Sequence, residues 1–195
     1  PSLLHRPAGA LADEVEIDLR EDDSLTLLAA LARGELDLAI LSLFGEMPAN
    51  LLSRQLYLDR NVFVCGVPGP EIPDGPLAPA ALARHPFAAP APDTPSRLEF
   101  DRYWQRHDVP PPACRVAART YDAIASVLPG TPMLAVMPRQ VAQRHAGNGN
   151  LRILKVVHAL PERPIHVVWP RQALQPVTDQ LIALIRPARP RRERP

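Results

Sequence analysis

The stretch Leu31-Ala-Arg-Gly-Glu-Leu-Asp-Leu-Ala-Ile-Leu41 constrains the fold more than any other part of the chain. Just before it, Asp22-Asp23-Ser24 is an N-cap cluster, and the run from Leu25 to Arg33 places Leu28, Leu31 and Ala32 on one side of a helix. Gly34 can take the left-handed conformation that closes such a helix. Leu36 to Leu41 is then apolar on both faces, and only a strand covered by helices on both sides buries that pattern. Upstream, Val15-Glu-Ile-Asp-Leu-Arg20 alternates apolar and charged residues, the period of a strand with one wet face. Strand, helix and strand in this order make a β-α-β unit with a right-handed crossover. A chain that continues the alternation is an α/β protein with mostly parallel sheets.

The alternation does continue. Leu56 to Val67 reads as a third strand. It runs into Pro68-Gly-Pro-Glu-Ile-Pro-Asp-Gly-Pro76, the densest turn signal in the chain and the expected boundary between two lobes. Beyond it the spacing predicts helices over 79–84, 96–107, 121–128 and 138–145, the last with Pro138 at its first turn. Strands are expected over 87–91, 114–118, 133–137, 151–156 and 165–169, with Gly147-Asn-Gly149 as a turn. A closing helix over 177–185 has Val177, Leu181, Ile182 and Ile185 on one side. The 25 prolines are spread through the chain, which fits many short connections rather than one disordered block.

Catalytic patterns are missing. Gly147 and Gly149 follow a helix, the wrong context for a phosphate loop or dinucleotide fingerprint, and there is no Gly-x-Ser-x-Gly elbow. The six histidines (His5, His85, His107, His145, His158, His166) show no HExxH pattern and no cysteine partners at metal spacing. His166 reads as a hydrogen-bonded structural histidine, and His85-Pro86 as a helix-to-strand turn. Asp22-Asp23 reads as a helix cap rather than an acid/base pair. No nucleophile has an evident base, so the expectation is a protein that is not an enzyme and uses neither metal nor cofactor.

The formal net charge of +1 gives no general reason to bind nucleic acid. The local surplus, Arg186 to Pro195, reads as a solvated Pro/Arg tail, with a phosphate-binding arm as the sharper alternative. No run of about 18 apolar residues exists to span a membrane, and no signal peptide is visible. The chain starts at Pro1, so a removed leader or a fragment is compatible with it. Cys65 and Cys114 sit in apolar strand-like runs and read as buried thiols, with a disulfide between them as the alternative. A reducing cytoplasm fits best.

Leu28-x-x-Leu31-x-x-Gly34-Glu-Leu-Asp37-Leu-Ala-Ile40 resembles the "L..L..G.LDLAI" signature of the effector-binding domains of LysR-type transcriptional regulators. Its company strengthens the resemblance. Leu56 to Cys65 is similar to the family's crossing strand, His85-Pro86-Phe87 to a recurrent "HP" before a strand, and Gly130 to Pro138 to a Gly-initiated apolar segment ending in proline. Ile165 to Pro170 and the closing helix complete the order, so the resemblance covers roughly residues 1–186. It implies a fold like that of type 2 periplasmic binding proteins. Two Rossmann-like α/β lobes are joined by two crossing strands, near Phe63–Val67 and Pro161–Ile165, with a small-molecule cleft between them. Lobe I would hold residues 1–66 and 164–187, lobe II residues 67–163, and 188–195 the tail. The family's regulators begin with a winged helix-turn-helix and a linker helix, and the sequence shows neither. Pro1-Ser-Leu-Leu-His resembles the middle of the effector domain's first helix, although Pro7 and Gly9 oppose a helix there. The chain therefore reads as truncated and as unable, alone, to bind operator DNA specifically.

The resemblance also places a ligand site in the loops after strands and at helix starts. Ser24 would offer a hydroxyl and free N–H groups to an anion, or serve as an ordinary cap. Ser42, Leu43 and Phe44 follow the LDLAI strand, where Phe44 either stacks on an aromatic ligand or packs under its loop. Thr94 and Ser96 follow the next lobe's first strand, with Ser96 again a possible cap. Thr120 and Tyr121 lie between a strand and a helix, where a phenol can meet a ligand. Trp169 reads as core, and Asp37 as a structural partner for backbone N–H groups or an arginine. The implied ligand is a small carboxylate, aromatic ones included, and lobe closure would supply the differential binding a switch needs. The expected partners are that effector and a second copy of the chain, as a dimer here and a tetramer in a full-length regulator, paired through a helix of one lobe and a strand of the other. DNA would be reached only through the missing domain. Two other classes fit the fold: a stand-alone solute-binding protein, which requires export, and a transferase or dehydratase, which requires a reactive Cys or a Thr or Arg constellation in the cleft.

Overall fold

In the computed structural model, which describes residues 17–43, 45–172, 179, 181 and 182, the first helix takes its cap from the acidic pair Asp22-Asp23, as expected, and Ser24 is its first residue rather than its cap. Asp23 is the cap of α1 (Ser24–Ala32), accepting from the N–H groups of Leu25 and Thr26 at 3.0 and 3.1 Å. Leu27, Ala30 and Leu31 form the buried stripe, while Leu28 is half-buried and Ala32 exposed. Gly34, at φ 74°, closes the helix. Glu35 N–H reaches back to Ala30 O at 2.9 Å and Gly34 N–H to Leu31 O at 3.0 Å, the paired bonds that satisfy terminal carbonyls.

The strand that follows is β1 (Ala39–Ser42), and its partner is not the expected one. Of the strand expected over Val15–Arg20, the described residues 17–20 lie in no strand, and Leu19 is exposed. Period-two alternation makes a strand only where a neighbour takes up the backbone N–H and C=O groups, and none of the described residues does so here. Instead β1 pairs antiparallel with β7 (Glu162–Pro170), Ala39 opposite Val168 and Ser42 opposite Ile165. Both faces of this ladder are nevertheless apolar, as the LDLAI pattern requires. Ala39, Leu41 and Val168 pack with Leu27 and Leu31 of α1, while Leu38, Ile40 and Trp169 surround Val167 and Ile182. These residues belong to one compact unit, made of the chain up to Tyr57 and from Pro164 onward. The expected closing helix over 177–185 lies outside the described residues except at 179, 181 and 182, which are helical.

The second unit runs from Leu58 to Arg163. The long strand β2 (Leu51–Gly66) leads into it and pairs antiparallel with β5 (Leu134–Pro138) and β6 (Leu151–Ile153). β3 (Phe87–Pro90) pairs parallel with β4 (Cys114–Ala118) and with β5, and Leu77 and Val156 form an isolated parallel bridge. The sheet is therefore mixed rather than mostly parallel, because a crossing strand meets the βα units running the opposite way. Between the strands lie α2 (Pro79–Leu82), α3 (Pro95–Arg106), α4 (Tyr121–Ser126) and α5 (Arg139–Gly147).

Residue parity divides the core of this unit. Phe63, Phe87, Leu134 and Val136 face Phe100, Tyr103 and Trp104 of α3, with ring centroids 5.0 to 6.2 Å apart. Val64, Ala88, Ala135 and Met137 face Ile124 and Leu128 on the other side. Cys65 is buried and Cys114 exposed, and both are free thiols. Cys114 departs from the buried reading because β4 ends the strand order, so an apolar-looking run there is only half covered. Among the described residues no helix is long and apolar enough to cross a membrane.

Candidate functional site

Two parallel strands of the second unit end side by side. Pro90 of β3 is opposite Ala118 of β4, and Ala91 N–H extends the ladder to Ala118 O at 2.9 Å. From these carboxyl ends the chain turns into α3 and α4, and such junctions gather unpaired backbone donors. Thr94 caps α3. Its hydroxyl donates to Ala91 O at 2.7 Å and accepts from Arg97 N–H at 3.3 Å, and the residue is 5% exposed. Pro95 occupies the first helical position, where its missing N–H costs nothing. Thr120 caps α4 in the same way, accepting from Ala123 N–H at 3.3 Å.

The two helix starts are tied together. The Tyr121 hydroxyl donates to Ser96 Oγ at 2.7 Å, and Arg119 pairs with Asp93 across the two turns. Ser96 therefore accepts from the phenol while its own O–H and backbone N–H make no hydrogen bond to the described residues. Arg97, one residue on, is engaged with Asp101 at 3.0 Å and lies 5.8 Å above the Phe100 ring. Thr94, Ser96, Thr120 and Tyr121 thus form one group.

The remaining expected site residues lie in the first unit. Ser42 ends β1, is 6% exposed, and has its Oγ 3.4 Å from Pro164 O; Leu43 follows, half-buried. Phe44 lies outside the described residues. Ser24 opens α1, but the Asp23 carboxylate already takes the N–H groups of Leu25 and Thr26 and the Thr26 hydroxyl. A carboxylate at that terminus opposes a second anion. Asp37 is exposed and has no side-chain partner among the described residues; Glu35 is the acid that pairs, with Arg33 at 2.6 Å.

A buried polar network was missed. Arg163 donates through Nη1 to Glu99 Oε2 and through Nη2 to Asn61 Oδ1, both at 3.0 Å, while Asn61 Nδ2 donates to the same Glu99 oxygen at 3.2 Å. The Nε of Arg163 is buried with no partner among the described residues. Asp59, 8% exposed, belongs to the same neighbourhood. Burial pushes its carboxyl above the usual range, against the opposing pull of the Arg60 N–H, the Arg163 charge and the N–H groups of Gln140 and Arg139. Pro138 gives α5 no side-chain cap, and the first N–H groups of that helix, on Arg139 and Gln140, are among those that pull on the Asp59 carboxyl. The signal was available: Asp59 and Asn61 share strand parity with the core residues Phe63 and Cys65.

Next to Tyr121, Asp122 joins α4 to α5 by pairing with Arg144 and, at 2.7 Å, with His145 Nε2. Burial pushes this carboxyl up, but the hydrogen bonds from His145 and Arg144 outweigh it and hold it below the usual range. A depressed carboxylate stabilises above its unfolded pKa and loses that contribution as pH falls through the folded one. Asp122→Asn should therefore lower stability at about pH 7, by less than about 1 kcal/mol for so exposed a pair. The gap from the parent should narrow as pH falls through that depressed value, below the ordinary carboxylate range. A gap that is constant with pH in denaturant melts would refute this role.

Among the described residues no three His, Cys, Asp or Glu side chains stand together as metal ligands. Residues 9–190 match the family described as the LysR substrate binding domain. No curated protein matches the chain in sequence. Among solved structures, the regulatory domain of MexT, a transcriptional activator in Pseudomonas aeruginosa, is similar at 19% identity and TM-score 0.74, over 91% of this chain and 87% of that one. The Synechocystis PCC6803 CcmR regulatory domain in complex with 2-PG is similar at 18% identity and TM-score 0.70, over 91% and 88%. The probable transcriptional regulator PA0477 from Pseudomonas aeruginosa matches at 20% identity and TM-score 0.66, over 86% of this chain and 54% of that one. The chain thus spans about half of that protein's length. At such identities the likeness is one of fold, the α/β architecture of type 2 periplasmic binding proteins.

Proposed function

We propose, because the chain belongs to the LysR substrate binding domain family, that it is the ligand-sensing domain of a bacterial transcriptional regulator and that its effector is a small carboxylate. The observation that carries this reading is the junction of Ser96 and Tyr121. The phenol donates to Ser96 Oγ, so the serine's own proton is free to be given outward, and each bond in such a chain strengthens the next. Beside it, the Ser96 N–H lies at the start of a twelve-residue helix whose dipole favours negative charge. Donors without a matching acceptor suit a carboxylate, and the half-buried Tyr121 ring suits an aromatic one. Thr94 and Thr120 hold the two turns in place. In the first unit we assign Ser42, the last residue of β1, and Leu43, which follows it, to the ligand. Ser24, whose terminus already holds a carboxylate, ranks behind them.

A thermal-shift panel of aliphatic and aromatic carboxylates tests the reading, with the matching amines and alcohols as controls. A binder at a hundred times its dissociation constant should add about 2.7 kcal/mol of stability. The response should fall in Ser96→Ala and in Tyr121→Phe. The latter should itself cost about 1 kcal/mol for the lost hydrogen bond. If no acid raises the melting temperature of the parent chain, the carboxylate reading is wrong. The proposal includes self-association, with operator DNA contacted by a separate domain. Sedimentation at micromolar concentration showing monomer alone would count against the first part.

A further inference from the structure

At the carboxyl end of α3, the side chains of Tyr103, His107 and His158 form a short ladder of rings. The two imidazoles stack with centroids 4.5 Å apart and planes 21° from parallel, and Tyr103 meets His107 edge-on at 4.7 Å. The Tyr103 hydroxyl donates to the backbone oxygen of His158 at 3.1 Å. His107 is the residue that ends α3, whereas His158 lies in the connection between β6 and β7. That connection is secured elsewhere at both of its ends. Leu154 N–H donates to Phe63 O at 2.8 Å, Leu77 and the 155–157 segment exchange two bonds at 3.0 Å, and Leu160 is buried in the aromatic core. Val157, His158 and Ala159 are exposed, so among the described residues their middle is held by Tyr103 and the ring stack.

The charges around the pair are mostly positive. On α3 stand Arg102 and Arg106, the latter turned back to Arg102 O at 3.3 Å, and Asp108 follows His107. The connection itself carries Lys155 and leads to Glu162. Tyr103 does not contribute charge, since burial pushes its hydroxyl up to about 12. Desolvation, the His158 ring and Arg106 all hold the His107 imidazole below its ordinary value. Neutral rings stack at this separation; two imidazolium ions repel.

We propose that the His107–His158 stack is a proton-operated clasp, which fastens the β6–β7 connection to α3 when the rings are neutral and releases it when the pair becomes charged. The connection runs directly into β7, one of the two strands by which the chain leaves this unit. Proton uptake at the surface therefore acts on the segment that feeds that strand.

Histidine proton titrations by NMR, combined with amide hydrogen exchange corrected for intrinsic rates, test the clasp in the intact chain. In the parent, the His107 ring should titrate below an ordinary imidazole, and amides 157–160 should lose about tenfold protection between about pH 8 and about pH 5. In His158→Gln the His107 titration should move upward, and the pH dependence of protection should flatten. Arg106→Gln should also raise the His107 titration while leaving the connection protected at about pH 8. The idea is overturned if His107 titrates identically in parent and His158→Gln. It is equally overturned if protection of 157–160 in the parent does not change with pH. That second measurement needs no variant, so it decides the matter even where a substitution loosens the connection by itself.

Discussion

Gly66→Ala should cost the protein about 3 kcal/mol or more, at the upper end of overpacking effects. A Cβ at Gly66 would lie 2.2 Å from Leu128 O, 2.4 Å from Leu128 C and 2.6 Å from Pro129 N. All three are backbone atoms, so no side-chain rotation relieves the clash. Neither partner has room to retreat. Gly66 is paired with Leu151 at the buried end of β2, and Leu128 is fully buried. The Leu128 carbonyl accepts from Thr131 N–H at 3.1 Å and from the Thr131 hydroxyl at 2.8 Å, while Gly130 N–H is bound to Pro68 O at 2.7 Å. Displacing this turn breaks bonds that are already made inside the protein. Gly75→Ala is the matched control. Its Cβ would meet nothing within 4 Å, so stability should stay within about 0.5 kcal/mol of the parent. Urea melts of both variants give the answer, and equal midpoints for the two would show that the 128–131 turn yields freely.

Several features of the fold were legible because they are local. The doubly apolar strand after Gly34 is buried on both sides, as its sequence demands, and the helix before it ends at the glycine. Partners were harder. Nothing in Ala39–Ser42 announces that β7, far along the chain, would pair with it, because alternation specifies faces and not neighbours. The same limit explains Val15–Arg20, where alternation suggested a strand and the described part has no partner. Among caps, the cluster Asp22-Asp23-Ser24 marked the helix start, but the choice of Asp23 rests on its extended backbone, φ −70° and ψ 158°. Asp37 shows the opposite error: an acid inside an apolar motif suggested a partner, and it is solvent-exposed.

The candidate site divides in the same way. Thr94, Ser96, Thr120 and Tyr121 were visible as residues between a strand and a helix. Their convergence depends on β3 and β4 being neighbours, and only that adjacency lets Tyr121 reach Ser96. The resemblance of Leu56 to Cys65 to a crossing strand gives Asp59 and Asn61 no role of their own. Their spacing from Phe63 should have placed them on its buried face.

Arg163→Met should destabilise the protein by about 3 kcal/mol, the scale of removing one partner from a buried ion pair. Arg163 and Glu99 have side chains only 12% and 23% exposed, and the arginine binds Glu99 and Asn61 together. Methionine fills much of the same volume but leaves the Glu99 carboxylate and the Asn61 oxygen without their donor. Lysine keeps the charge but not the planar fork that reaches both, so Arg163→Lys should fall between. Asp59 makes the effect depend on pH. A carboxyl raised by burial favours its neutral form, and the associated stability is lost as pH rises through the folded value. Arg163 is the cation that opposes this rise, so its removal should make the deficit larger at about pH 7 than at about pH 4. Glu99→Gln in the Arg163→Met background should recover part of the loss, because the amide needs no counter-charge. Denaturant melts of the two single variants and the double variant, at both pH values, separate charge from packing. If Arg163→Met alone costs less than about 1 kcal/mol, or if Glu99→Gln adds to its loss instead of offsetting it, the network is held by shape and not by its charges.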